Sequence, residues 1–158
     1  MNERRILFVC HGNICRSPMA EVIFRDMVEK RHLSDSFDIS SRATSTEEIR
    51  NGNGNPVYPP ARTELARHGL RCEGIRARLL TQEDYARFDL LIGMDERNVR
   101  NILRMTGGDP QGKIRKLMDY PARGGDVDDP WYTGQFDVTY RDLCDGCTGL
   151  LEALLKRG

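Results

Sequence analysis

Short apolar runs alternate along the chain with stretches in which apolar residues recur every three or four positions. The runs predict buried strands at residues 5–10, 37–40, 89–94 and 113–118. The periodic stretches predict helices at residues 18–28, 61–68, 81–88, 96–105 and 137–157. Strands that alternate with helices favour an α/β fold, a parallel sheet flanked by helices on both faces.

Turn-forming residues separate these elements. Ser17 is a good N-cap and Pro18 a good first residue for the first helix. Residues 41–60 and 119–134 are rich in turn-forming residues and predict long loops, which in compact domains are often functional. The chain contains no internal repeat and no domain linker, so we expect one domain over residues 1–158.

Composition and charge narrow the class of protein. With 39% hydrophobic and 30% charged residues, the chain is typical of globular proteins and unlike disordered, collagenous or membrane chains. Lys and Arg (24) balance Asp and Glu (24), so no overall field attracts nucleic acid or an anionic membrane. The N-terminal apolar run is too short for a signal peptide or a membrane span, which predicts a cytoplasmic protein.

The five cysteines indicate thiols rather than a disulfide framework, because their number is odd and the expected compartment is reducing. Cys144 and Cys147 have the spacing of a metal or redox pair. They fall on the apolar stripe of the last helix, however, and no second ligand pair is evident. We therefore expect them in the core and expect no metal.

The turn after the first strand carries the candidate chemistry, because ligands of open parallel sheets bind beyond the carboxyl ends of the strands. Cys10 and Arg16 bracket this turn, where amide N–H groups before a helix can surround a phosphate. Gly12 and Asn13 both tolerate left-handed backbone geometry. Arg16 supplies a fork that matches two phosphate oxygens.

The same surroundings favour the thiolate of Cys10, which would then be a nucleophile. Ser17, just past the loop, could donate its hydroxyl to that thiolate and later to the leaving sulfur. The alternative is a buried strand-end cysteine beside an ordinary turn. The Cys-x5-Arg spacing alone does not decide between the two.

The whole segment resembles the signature of the low-molecular-weight protein tyrosine phosphatases; it reads Cys10-His11-Gly12-Asn13-Ile14-Cys15-Arg16-Ser17-Pro18-Met19-Ala20-Glu21. The resemblance runs nearly end to end, with further matches at residues 40–45, 67–69, 94–96 and 129–132. It implies a four-stranded parallel sheet flanked by helices, with the phosphate-binding loop after strand 1. This fold agrees with the order of elements predicted above.

The resemblance implies a mechanism. Cys10 attacks phosphorus to form a cysteinyl-phosphate, and Arg16 holds the non-bridging oxygens. Asp129, before Pro130, matches the general acid that protonates the leaving phenolate and then activates water. Asp128 is its nearest rival. The phosphate-binding loop is formed by His11, Gly12, Asn13, Ile14, Cys15 and Arg16.

Three residues match family positions that hydrogen-bond together and hold the loop in shape: Asn13, Ser41 and His68. Without the resemblance, His68 is explained by a favourable interaction with a helix C-terminus. Asp95 matches a residue that orients loop groups, although a role as N-cap explains it equally well. Cys15 lies close enough to Cys10 for an oxidative disulfide that would protect the nucleophile.

The rim of the pocket bears on specificity. Trp131 and Tyr132 could sandwich a phenyl ring, and Ile14 matches members that act on phosphotyrosine, whereas phosphoarginine-directed members carry threonine. His11 and Glu47 depart from the family pattern. Glu47 either makes an acidic wall, which would disfavour acidic phosphopeptides, or is a solvated loop charge.

We therefore expect a protein tyrosine phosphatase that hydrolyses phosphotyrosine and small aryl phosphates without a cofactor. Its expected partners are phosphotyrosine-containing proteins and a cognate tyrosine kinase, and it is expected to be a monomer. The alternatives are a phosphoarginine phosphatase, a thioredoxin-coupled arsenate reductase and a phosphate-binding module without turnover. Residues 73–143 lack the cysteine pair that an arsenate reductase needs.

Overall fold

A four-stranded parallel sheet forms the centre of the computed structural model, which describes residues 4–121 and 124–157. The strand order is β2-β1-β5-β6, and a separate antiparallel hairpin joins β3 to β4. The strands are β1 (Arg4–Cys10), β2 (Phe37–Ala43), β3 (Ile49–Arg50), β4 (Asn53–Gly54), β5 (Leu90–Gly93) and β6 (Ile114–Lys116). The expected α/β fold is confirmed.

Six α-helices surround the sheets in the described part of the chain: α1 (Arg16–Lys30), α2 (Pro59–Arg67), α3 (Gln82–Arg87), α4 (Glu96–Thr106), α5 (Pro130–Thr133) and α6 (Phe136–Arg157). Short 3-10 helices cover Ser34–Ser36 and Leu117–Asp119. Residues 1–3, 122–123 and 158 lie outside the described residues, so the predicted loop at 119–134 is described only in part.

Both faces of the sheet are covered, which explains why the first apolar run does not alternate with polar residues. On one face of β1, Ile6 and Phe8 pack into the larger core with α1 and α6. On the other face, Leu7 and Val9 pack with α3 and α4 around Phe88. All four β1 side chains are fully buried.

Strand β2 is longer than predicted. It pairs with every residue of β1, from Arg4 opposite Phe37 to Cys10 opposite Ala43. Polar residues at its end are therefore held by the ladder, although their composition resembles a loop. The predicted loop at 41–60 also contains the β3–β4 hairpin and the first turn of α2, and α5 interrupts the predicted loop at 119–134.

The predicted start of the first helix is wrong. Helix α1 begins at Arg16, and Cys15 occupies the N-cap position without a side-chain hydrogen bond. Ser17 instead lies inside the first turn, where its hydroxyl contacts the loop. Helix α3 begins with a complete capping box between Thr81 and Asp84. Asp95 caps α4, as one of its two expected roles required, by accepting from Asn98 N–H at 2.7 Å.

The last helix buries its apolar stripe as expected, with Cys147 fully buried and Cys144 partly buried against the same core. Within residues 4–121 and 124–157, no group of three or more His, Cys, Asp or Glu side chains could hold a metal ion. In the same residues, no helix combines the length and the apolar character needed to cross a membrane.

Gly146 allows α6 to approach the 3-10 helix beside β6. A Cβ at this position would lie 2.5 Å from Leu117 Cγ and 3.1 Å from Met118 Sδ. Alanine usually stabilises a helix interior by roughly 0.5–1 kcal/mol relative to glycine. Here the overlap would cost about 1–3 kcal/mol, so we expect Gly146→Ala to lower the free energy of unfolding in urea.

The matched control is Thr148→Ala, an exposed position two residues further along α6. This variant should unfold at the same or a higher urea concentration, because alanine favours the helix without a clash. Equal stabilisation by both substitutions would contradict the close approach of α6.

Candidate active site

The loop between β1 and α1 forms the floor of a pocket at the carboxyl edge of the sheet. Because β1 lies between β2 and β5, the loop opens at the centre of this edge, where segments from several strands converge. The pocket is lined by Cys10, His11, Gly12, Asn13, Ile14, Cys15, Arg16, Glu47, Glu48, Asp129, Trp131 and Tyr132. Ser17, Ser41 and His68, the expected supporting residues, are not among these lining residues, and neither are Asp95 and Asp128.

The sulfur of Cys10 receives hydrogen-bond donors from the start of α1. Ser17 Oγ lies 3.0 Å from Cys10 Sγ, and the N–H of Ser17 donates to the same sulfur at 3.4 Å. Asn13 Nδ2 donates to Ser17 Oγ at 2.8 Å, so the hydroxyl proton of Ser17 can be donated to the sulfur at 3.0 Å or to the more distant carbonyl of Arg42 at 3.5 Å. These contacts and the N-terminus of α1 thus place hydrogen-bond donors and positive potential at the sulfur.

Asn13 holds the bend of the loop. Its φ of 60° is left-handed, and its side chain is buried. Besides donating to Ser17, the side chain accepts at Oδ1 from the N–H of Arg78 at 3.0 Å. Asn13 thus connects the loop to the segment that follows α2, while its backbone adopts a conformation that asparagine tolerates better than most residues.

The guanidinium of Arg16 is almost completely buried, at 3% exposure, and is paired on several sides. Its Nη1 donates to Asp95 Oδ2 at 2.7 Å and to the carbonyl of Val127 at 2.9 Å. Its Nη2 lies 3.5 Å from Asp129 Oδ2. Burial alone would lower the pKa of Arg16, but the Cys10 sulfur and the two carboxylates raise it above its usual value.

Asp129 stands at the N-terminus of α5, where its Oδ1 accepts from the N–H of Trp131 at 3.0 Å. Its other oxygen, Oδ2, faces Arg16, and Asp129 lines the pocket. Asp128, the rival predicted from sequence, is exposed and is not among the residues that line the pocket. The geometry therefore favours Asp129 over Asp128 for chemistry in this pocket.

Aromatic residues form one wall of the pocket. Trp131 and Tyr132 are both exposed, and the indole ring packs against Tyr58 with ring centroids 4.8 Å apart. Tyr58 also connects this wall to the loop, because its N–H donates to the carbonyl of Ile14 at 2.9 Å. Sequence reasoning missed Tyr58, which lies before Pro59 in a segment that was predicted as loop.

Two acidic residues, Glu47 and Glu48, also line the pocket. Glu47 Oε2 lies 3.0 Å from His11 Nε2, so the two departures from the family pattern contact each other. Glu48, which sequence reasoning did not select, also lines the pocket and accepts from Asn55 Nδ2 at 3.0 Å. Glu47 is thus a wall residue that contacts His11, even though its side chain is largely exposed.

The expected network of Asn13, Ser41 and His68 is not formed by the described residues. Ser41 faces α1 and donates to Glu21 Oε1 at 2.6 Å. His68 caps the end of α2, where Nε2 lies 2.8 Å from Glu64 Oε2 and the ring stacks on Tyr140. The prediction for Ser41 and His68 was wrong because each side chain has a nearer acidic partner on a helix.

Cys15 differs from Cys10 although both line the pocket. Burial, followed by the neighbouring Cys10, raises the pKa of the Cys15 thiol far above its usual value. The Cys15 thiol is therefore ionised less readily than an exposed cysteine and is a poor nucleophile. The disulfide between them that the sequence suggested remains a prediction, since all five cysteines are free thiols in this structure.

The loop after β1 thus combines a buried thiol with a buried guanidinium, and a carboxylate faces the guanidinium. This arrangement is typical of α/β enzymes in which a cysteine attacks a bound phosphoryl group. The family model for low molecular weight phosphotyrosine protein phosphatase matches residues 5–158. The chain belongs to this family, as its sequence signature predicted. It is a phosphatase enzyme whose substrates are phosphoproteins.

Individual relatives with high coverage are also phosphatases by name. Low molecular weight protein-tyrosine-phosphatase YfkJ of Bacillus subtilis is 37% identical over 96% of both chains, and its crystal structure has a TM-score of 0.93 at 99% and 98% coverage. The low molecular weight phosphotyrosine protein phosphatase of Rattus norvegicus is 38% identical over 96% of both chains. The solved Drosophila arginine phosphatase is 27% identical, with a TM-score of 0.83 and coverage of 94% and 96%.

Two substitutions at Asn13 separate its backbone role from its side-chain role. Both Asn13→Gly and Asn13→Ala remove the bonds to Ser17 and Arg78, but only alanine also resists the φ of 60°. That resistance costs roughly 1–2 kcal/mol. We expect kcat/KM for an aryl phosphate and the melting temperature to fall in the order wild type, glycine, alanine; equal values for the two variants would contradict backbone strain at this position.

Proposed function

We propose that this chain, as one domain over residues 1–158, hydrolyses phosphotyrosine in proteins and small aryl phosphates by covalent catalysis at Cys10. The supporting observation is that Cys10, Arg16 and Asp129 line one pocket, with Arg16 Nη2 3.5 Å from Asp129 Oδ2. The aromatic wall beside Asp129 suits the ring of a phosphotyrosine.

In the first step, the Cys10 thiolate attacks phosphorus and the bond from phosphorus to the phenolic oxygen breaks. Arg16 and the loop amides hold the non-bridging oxygens, which gain charge in the transition state. The phenolic oxygen leaves with the proton of Asp129. Because the pKa of tyrosine is about 10, its unprotonated anion is a poor leaving group, and this proton is worth about 10²–10⁴ in rate.

In the second step, water attacks the phosphorus of the cysteinyl-phosphate. The Asp129 carboxylate accepts a proton from this water, the bond from phosphorus to sulfur breaks, and inorganic phosphate is released. Ser17 Oγ, 3.0 Å from the sulfur, stabilises the departing thiolate. The enzyme then returns to its starting state, with Cys10 a thiolate and Asp129 protonated.

Phosphoarginine is the second candidate substrate. The carboxylates of Glu47 and Glu48 in the pocket lining suit a positively charged group beside the phosphate, which phosphotyrosine lacks. Ile14 favours phosphotyrosine, because it is buried among Cys15, Ala77 and Tyr58 and presents an apolar side to the pocket. We retain phosphotyrosine as the substrate and treat phosphoarginine as the alternative.

The positions of Cys72, Cys144 and Cys147 disfavour arsenate reduction coupled to thioredoxin. Cys147 is fully buried in the core, and burial raises the pKa of the Cys144 and Cys72 thiols as well. None of these three lines the pocket. Passing oxidation from Cys10 to the surface would therefore lack a reactive relay.

The proposal extends to the setting of the enzyme. A cytoplasmic monomer that acts on phosphotyrosine-containing proteins, including those modified by a cognate tyrosine kinase, agrees with the free thiols and the balanced charge. Gel filtration under reducing conditions tests the monomer directly.

Hydrolysis of phenyl phosphate tests the mechanism. We expect Cys10→Ser to abolish turnover, because serine is not ionised in this loop, and Asp129→Asn to lower kcat/KM by roughly 10² or more, because the leaving phenolate is not protonated. EDTA should leave the rate unchanged, since the thiolate and Arg16 supply the nucleophile and the charge.

Asp128→Asn is the matched control for the acid, and it should retain nearly full activity. A larger loss for Asp128→Asn than for Asp129→Asn would exchange their roles. Persistent turnover in Cys10→Ser, or inhibition by EDTA, would contradict covalent catalysis at Cys10.

The substrate is tested by comparing phosphotyrosine and phosphoarginine at equal concentration. We expect the wild-type enzyme to prefer phosphotyrosine and Ile14→Thr to shift the ratio of kcat/KM values toward phosphoarginine, because threonine adds a hydroxyl and removes apolar surface from the pocket. Ile14→Val, which stays apolar, is the control. An unchanged ratio in Ile14→Thr would remove the support that Ile14 gives to phosphotyrosine.

A further inference from the structure

Lys116 lies outside the pocket but contacts two segments that carry residues of the site. Lys116 ends β6, and its ammonium group lies between two carboxylates, 2.7 Å from Glu96 Oε1 and 3.1 Å from Asp126 Oδ1. The lysine side chain is only 12% exposed, whereas both carboxylates are largely in solvent. The lysine side chain is therefore fixed by burial, whereas the two carboxylates contact it from exposed positions.

The first partner belongs to the segment that orients Arg16. Glu96 is the first residue of α4 and directly follows Asp95, which accepts from Arg16 Nη1. Asp95 also caps α4 through Asn98. Lys116 thus attaches to the same helix start that fixes the guanidinium.

The second partner belongs to the segment that carries the proposed acid. Asp126 precedes Val127, whose N–H donates to the carbonyl of Met94 at 2.9 Å and whose carbonyl accepts from Arg16. Asp129 follows two residues later. This segment is therefore attached at Val127 to Met94, just after β5, and to Arg16, and at Asp126 to Lys116 at the end of β6.

Asp129 is held locally by the short helix α5, whose Trp131 packs against Tyr58, and by its contact with Arg16. It caps α5, which is only four residues long, and its contact with Arg16 is 3.5 Å. A rotation of the segment about Val127 would move the Asp129 carboxyl away from the leaving oxygen, and proton transfer needs a separation near hydrogen-bond length. A second attachment at Asp126 opposes this rotation.

We propose that Lys116 is a positioning residue for proton transfer by Asp129, acting through its paired contacts with Asp126 and Glu96. This inference rests on the proposed function of Asp129 as general acid and base. It assigns to Lys116 an effect on the reaction although the lysine does not line the pocket.

This role requires that the Lys116 ammonium group is positively charged. The hydrogen bond to Glu96, followed by the contact with Asp126, raises the pKa of Lys116 above its usual value, despite the opposing effect of burial. The lysine therefore stays protonated wherever the enzyme is folded and active. The exposure of both carboxylates limits the strength of each pair, so the expected effect on rate is modest, about fivefold.

The experiment compares phenyl phosphate with p-nitrophenyl phosphate, whose leaving group is more acidic and needs the proton less. We expect Lys116→Met to lower kcat/KM for phenyl phosphate about fivefold and for p-nitrophenyl phosphate much less. Asp126→Asn should give the same pattern, and adding it to Lys116→Met should cause no further loss, because the contact between Lys116 and Asp126 is already absent in Lys116→Met. Lys116→Arg should restore the wild-type ratio of the two substrates.

Two reference variants make the outcome specific. Lys30→Met removes an ion pair with Asp26 at the far end of α1 and should leave both rates unchanged. In an Asp129→Asn background, Lys116→Met should cause no further loss, because there is no acid left to position. Thermal unfolding of each variant identifies any loss that is due to stability alone.

Equal losses on the two substrates, or a lower melting temperature with unchanged rates, would overturn the inference and leave Lys116 as a structural ion pair. An additional loss in the Asp129→Asn background would overturn it as well. If Asp129→Asn itself shows no selectivity between the two leaving groups, the proposed function fails instead, since the acid would lie elsewhere. Each result thus assigns the failure to one of the two proposals.

Discussion

The pairing of one buried cation constrains the whole carboxyl edge of the sheet. A guanidinium that is 3% exposed requires hydrogen-bonded, charged partners, because an isolated charge removed from water is very costly. Arg16 finds them in Asp95 after β5 and in Val127 before α5, with Asp129 close by. These contacts fix the positions of three segments relative to one another: the loop after β1, the start of α4 and the segment with the proposed acid.

The residues that line the pocket differ in charge. Arg16, the helix N-terminus and the loop amides supply positive potential at the floor, which suits a phosphoryl group and stabilises a thiolate. Among the other lining residues, Glu47 and Glu48 are acidic, and Trp131 and Tyr132 are aromatic. The floor therefore fits the phosphate that all substrates of the family share, whereas the walls differ in character and can discriminate among the groups attached to it.

Local patterns predicted the fold well and the site in part. The apolar runs identified all four strands of the sheet, and the Cys10 to Ser17 segment identified the loop that forms the pocket floor. The errors concern side chains that have more than one suitable partner. Ser17 makes the expected contact with Cys10 but does not cap α1, and His68 was assigned to the loop but pairs with Glu64. A residue type and its spacing do not show which of several suitable partners lies nearer in space.

The sequence by itself determined the alternation of strands and helices, the identity of the phosphate-binding loop and the family, because these depend on short-range periodicity and on a contiguous signature. Only the tertiary structure decided which charges meet. The contact between His11 and Glu47, the packing of Tyr58 on Trp131 and the pairing of Lys116 with Asp126 and Glu96 each join segments that are separate in the chain. Such pairs arise from the register of the parallel strands, which brings the ends of β1, β5 and β6 to one edge and with them the loops that complete the site.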